Sequence, residues 1–140
     1  MAGPRRLPTH PPRVPRVVNE TDYPDREVVP LVQRAATLDP GPVPRTIEVK
    51  MRRSKRDSRL GFTPYDRSAP TTIWVEPAGR YPQPGADSWQ DEVWQTELHE
   101  VHHYRRLPEC QEGCDDEAAA ERYAQVNRRR RPRKLAWRRR

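Results

Sequence analysis

The chain is 140 residues long, 33% hydrophobic, and carries 17 prolines and a formal net charge of +7. A sequence this short and this poor in core-forming residues excludes more than one compact domain, and no stretch approaches the roughly 20 apolar residues of a membrane helix or the apolar run of a secretory signal. Residues 128–140 hold eight arginines and one lysine, and removing those nine charges from +7 leaves −2, so the basicity is a terminal feature and the body is nearly neutral. A soluble, cytoplasmic protein without a membrane partner is expected.

Residues 1–45 contain ten of the prolines, interleaved with arginine and polar side chains. This composition removes backbone donors and favours solvated, extended chain, which predicts a largely disordered arm. One short helix is expected within it, over 31–38: Pro30 suits the first helical position, and Leu31, Val32, Ala35 and Leu38 share a face. His10 sits among prolines, and Asn19-Glu20-Thr21, although it matches a glycosylation acceptor, reads as ordinary disordered chain in a protein without a secretion signal.

From Thr46 the pattern changes. Residues 46–51 alternate apolar and polar with β-branched side chains, which predicts a half-buried strand with Ile47, Val49 and Met51 inward. A charged turn over 52–59 leads to the short run 60–63, and 71–75 is another β-rich run bounded by prolines, so two or three antiparallel strands are expected. After a loop over 76–85, Ser88 followed three residues later by Asp91 forms a capping-box pattern that starts a helix running to about Arg105. Pro108 and Gly113 interrupt the chain, and Asp115 or Asp116 caps a second helix through Ala118, Ala119, Ala120, Tyr123 and Ala124 to about Asn127. Trp74, Trp89 and Trp94 are assigned to a small core.

The first of these helices carries His99-Glu100-Val101-His102-His103. Four residues apart, His99 and His103 project from one face a turn apart, the spacing that lets two imidazoles ligate one Zn²⁺. Glu100, beside the first ligand, is suited to act as general base on a zinc-activated water. Trp94, Leu98 and Val101 form an apolar stripe next to the histidine face. A hydrolytic zinc site needs a third protein ligand and an open fourth position, and Glu117 is the choice: it opens the second helix, whose small residues allow close packing on the first.

This HEVHH run, followed by a short loop and EAAAERYA at 117–124, resembles the gluzincin-type metallopeptidases related to the ImmA/IrrE family of bacteria and phages. The resemblance spans about residues 46–127 and includes a strand like 72–77 ahead of the motif helix. It implies a zinc-dependent peptidase acting on a peptide or protein substrate, with His99, His103 and Glu117 as zinc ligands and Glu100 as general base. Glu121, where the family has Asp or Asn, would orient His99 or His103. The chain departs from the family at Glu97, usually uncharged, and at Arg105, usually hydrophobic. Tyr123, His102 and Arg122 are candidates for stabilising the oxyanion.

Two other chemistries fit the same stretch. His102 or His103 with Cys110 and Cys114 offers a mixed set of ligands for a closed, structural zinc. The arginine-rich tail, which also carries Trp137, offers salt-dependent phosphate contacts to nucleic acid. Taken together, the sequence predicts an α+β, zincin-like domain over 46–127, a short antiparallel sheet on a motif helix and a Glu-bearing helix, between an arm (1–45) and a basic tail (128–140).

Overall fold

The computed structural model describes residues 14–52, 60–77, 85–107 and 117–132. His10, the turn at 53–59, Cys110, Cys114, Asp115, Asp116 and the tail from 133 onward lie outside these residues. The elements, in chain order, are β1 (Arg16–Glu20), α1 (Asp25–Ala36), β2 (Thr46–Met51), β3 (Gly61–Phe62), β4 (Thr71–Val75), α2 (Trp89–Arg106) and α3 (Glu117–Asn127), followed by a 3-10 turn at Arg128–Arg130. The architecture is α+β, with one four-stranded sheet in the order β1-β2-β4-β3 and three helices. No helix among the described residues is long and apolar enough to cross a membrane.

The sheet is mixed, which corrects the antiparallel arrangement expected above. β1 pairs parallel with β2, β2 pairs parallel with β4, and only β3 runs antiparallel, to β4. Alternation along a strand reports which face is buried but not which way the strand runs. The direction of β2 relative to β1 is set by α1, because parallel neighbours need a crossover connection and a helix between them provides it.

That crossover also corrects the reading of residues 1–45 as disordered, at least from Val14 on. Val28, Leu31, Val32, Ala35 and Ala36 recur at helical spacing and are fully or almost fully buried, each larger side chain contributing roughly 1.5–3 kcal/mol relative to an exposed position. Pro24 takes the N-cap position, and its carbonyl accepts from the Glu27 and Val28 amides. Pro30 lies within the helix and not at its start, at the cost of one backbone hydrogen bond. Asn19 forms the turn between β1 and α1: its Nδ2 donates to the Tyr23 carbonyl at 2.8 Å and to Asp25 Oδ1 at 2.7 Å, while its Oδ1 accepts from the Thr21 amide at 3.0 Å. The Asn19-Glu20-Thr21 run is therefore a structured strand-to-helix turn.

Ile47, Val49, Ile73 and Val75 line the sheet face on which α1 and α2 pack, and all four are fully buried. Trp94 is fully buried, and Trp89 packs on the core while stacking on Tyr23 at 4.2 Å between ring centroids. Trp74 is corrected: it alternates with Ile73 and Val75, so it lies half-buried on the opposite face with Thr72, Glu48 and Lys50.

Candidate metal centre

The site is built where α2 and α3 lie side by side. Ser88 caps α2, its hydroxyl accepting from the Asp91 amide at 3.2 Å, while Asp91 Oδ2 accepts from the Asp87 amide at 3.0 Å. Every side chain from Glu92 to Leu98 is buried, because this half of α2 is enclosed by the sheet, α1 and α3. Ala120 and Ala124, with no exposed surface, let α3 approach closely. Three polar ties fix its register: Trp94 Nε1 donates to the Asn127 carbonyl at 3.1 Å, Gln125 Nε2 to Gln95 Oε1 at 2.9 Å, and Arg131 Nε to Asp91 Oδ1 at 2.7 Å. The first arginines of the basic tail thus belong to the folded body: Arg130 Nη1 donates to Asn127 Oδ1 at 3.0 Å, and the Arg131 side chain is only 10% exposed.

With the end of α3 held at Trp94, its first residue, Glu117, falls opposite the histidines one and two turns further along α2. His99 Nε2 and His103 Nε2 are 3.2 Å apart, Glu117 Oε2 is 3.1 Å from the former, and Glu117 Oε1 is 2.7 Å from the latter. One donor atom from each of the three residues lies within 4.8 Å of the others. Two ring nitrogens with lone pairs facing each other at this distance repel unless a cation or a proton stands between them. The edge of a tetrahedron with zinc–nitrogen bonds of 2.0–2.1 Å is about 3.3 Å, so the spacing of the nitrogens suits that ion. Two imidazoles and one carboxylate are also the donor set of a zinc site with an open fourth position. Burial would raise the Glu117 pKa, but the facing His99 and His103 imidazoles outweigh it and hold the carboxyl below its ordinary range. Glu121 Oε1 is 3.4 Å from His99 Nδ1, an ion-pair contact that is not aligned as a hydrogen bond. Of the two histidines, it is His99 that Glu121 approaches.

Glu100 points from the same turn of α2 toward the sheet. Its carboxylate is buried, and Thr63 Oγ1 donates to its Oε1 at 2.6 Å. Burial pushes its pKa up to about 7, against the Thr63 hydrogen bond and the nearby His103 imidazole and with the Glu117 charge. Gly61 lies against the same carboxylate: a Cβ there would stand 2.5 Å from Glu100 Oε2. Neither Gly61 nor Thr63 stands out in the sequence, since 60–63 reads simply as a short apolar strand.

The two departures from the family pattern have different structural outcomes. Arg105 is a tie between elements. Its Nη2 donates to the carbonyls of Ala36 at 3.0 Å and Asp39 at 2.8 Å, and its Nε donates to that of Pro42 at 2.9 Å, so it closes the C-terminal end of α1. Glu97 is fully buried, and its oxygens have no hydrogen-bond partner among the described residues. Burial, with the neighbouring Glu100 charge and against that of Arg105, pushes its pKa well above the ordinary range.

Of the oxyanion candidates, Tyr123 is committed elsewhere. Its hydroxyl donates to Asp39 Oδ2 at 2.7 Å, and burial together with that bond pushes its pKa up to about 12. His102 lies against the Tyr123 ring at 5.6 Å between centroids, and Arg122 is exposed. Compared with protein-family models, curated proteins and solved structures, the chain matches none.

Proposed function

We propose that this protein is a zinc-dependent peptidase of zincin-like design, in which His99, His103 and Glu117 hold the metal and Glu100 is the general base. The observation that carries the reading is the convergence of two imidazole nitrogens and a carboxylate from two helices, with a buried carboxylate one residue from the first imidazole. A zinc ion held by these three residues would supply Lewis acidity, activating water and polarising the substrate carbonyl.

The chain's own groups then carry the protons. Glu100 accepts a proton as the water oxygen bonds to the peptide carbonyl carbon, and returns it to the amide nitrogen as the carbon–nitrogen bond breaks, leaving an amine and a carboxylic acid that gives its remaining proton to solvent. Glu121 Oε1, 3.4 Å from His99 Nδ1, is the group placed to orient that ring.

Elemental analysis of the purified chain tests the ligand set. Wild type and the Cys110→Ala/Cys114→Ala double variant are expected to retain zinc, and His99→Ala and Glu117→Ala to lose it. Loss in the cysteine variant alone would replace this reading with a closed structural site.

A further inference from the structure

The β3 segment and the connector that follows it form a bracket over the motif turn of α2. β3 is fixed to β4 by the pairs Gly61–Ile73 and Phe62–Thr72, and the Trp74 amide donates to the Leu60 carbonyl at 2.8 Å. At the far end of the bracket, the Arg67 guanidinium lies over the Tyr104 ring at 4.4 Å from its centroid, with Nη2 3.4 Å from the Tyr104 carbonyl. Between them the connector is folded on itself. Asp66 Oδ1 accepts from the Ser68 amide at 3.0 Å and hydroxyl at 2.7 Å, and the Asp66 carbonyl accepts from the Ala69 amide at 3.0 Å.

Within this bracket Thr63 meets Glu100 twice. Its Oγ1 is 2.6 Å from Glu100 Oε1 and 3.2 Å from the Glu100 backbone carbonyl. A glutamate side chain has three rotatable bonds, so a carboxylate that works in one orientation needs a neighbour to offset the entropy of holding it there. We infer that Thr63 is a positioning residue for Glu100, engaging its Oε1 and its backbone carbonyl from the connector that follows β3 and so holding the carboxylate in one orientation. Gly61 is the second part of the device, because any larger residue would drive its Cβ into Oε2 and Cγ of the same side chain. The inference rests on the peptidase reading for its kinetic consequence, and on the two contacts alone for the geometry. A displacement of about 1 Å in a reacting group costs on the order of a hundredfold in rate.

The test uses the full chain loaded with zinc, as wild type, Thr63→Val, Thr63→Ser, Gly61→Ala and Glu100→Gln. Three quantities are measured: zinc per chain, kcat and KM on fluorescein-labelled unfolded casein, and the ¹³C resonance of the Glu100 carboxyl carbon, identified by its loss in Glu100→Gln. Thr63→Val keeps the shape but not the donor. It is expected to lower kcat by about tenfold to a hundredfold with KM and zinc unchanged, and to shift the Glu100 resonance. Gly61→Ala is expected to do the same, and Thr63→Ser to restore both. A Thr63→Val protein with the wild-type resonance would overturn the assignment whatever the rates, and so would a Thr63→Ser protein as impaired as Thr63→Val. Absence of hydrolysis by zinc-loaded wild type would instead overturn the peptidase reading and the kinetic half of this inference, while the resonance still decides the contact.

Discussion

The two ends of α2 each bury a glutamate whose pKa is pushed up to about 7, and they are otherwise unlike. Glu92, near the start, is raised by burial and by the Glu76 charge, opposed by Arg52; its oxygens have no hydrogen-bond partner among the described residues. Glu100, near the end, reaches a similar value beside the His103 imidazole, the Glu117 carboxylate and the Thr63 hydroxyl. Perturbation by burial is common to both, so it does not mark a functional group by itself. What separates the two ends is convergence: α3 and the connector after β3 both bring polar side chains to the turn of Glu100. At the Glu92 end, Arg52 Nη1 pairs instead with Glu76 Oε2, at 3.0 Å.

The comparison breaks most severely if the convergence is removed. Glu117→Ala is expected to take the zinc content from about one ion per chain to near zero, measured by elemental analysis, because two imidazoles alone leave the metal with half of a tetrahedral set. Glu100→Gln is expected to keep zinc and to lower hydrolysis of labelled casein by about a hundredfold or more, since the amide cannot take up the proton. Glu92→Gln is the matched control and should leave both quantities unchanged while altering stability. With the folded pKa of Glu92 raised, stability is highest in acid, where the carboxyl is protonated in both states. It falls as pH rises from the ordinary glutamate range to about 7, and levels off above. Glu92 contributes up to roughly 3 kcal/mol to that fall, and urea unfolding of Glu92→Gln between pH 5 and 8 should show the fall reduced by that contribution, the part due to the buried Glu97 and Glu100 remaining. The smallest effect sharpens the comparison from the other side. Arg105→Leu, at the Glu100 end but hydrogen-bonded among the described residues to carbonyls of 36–42, is expected to cost about 2 kcal/mol in urea unfolding without changing zinc content.

The parts of this fold that were legible in the sequence are those written in local pattern. β2 and β4 follow from alternation, the start of α2 from Ser88 and Asp91, and the close approach of α3 from its alanines. His99 and His103 were legible because helical spacing brings residues four apart onto one face, and Glu117 because it opens the next helix. β1 and α1 were masked by prolines, whose effect on a helix depends on position: Pro24 suits an N-cap, and Pro30 is tolerated inside a helix that buries five apolar side chains. The parallel pairing was hidden because it depends on α1. Thr63 and Gly61 were hidden for a related reason, their role being defined by a contact with a residue 37 or more positions away.

The strand order carries a consequence for a chain made from its amino terminus. Once Arg16–Met51 has been synthesised, β1, α1 and β2 are available, and the free edge of β2 stays open until Thr71–Val75 arrives. β3 emerges in the interval and is the first strand able to claim that edge, in the wrong place. With two residues it has too few hydrogen bonds to hold it, and Gly61 has no side chain to add. The brevity of β3 works as a safeguard of order, keeping a berth vacant for a strand that has not yet been made.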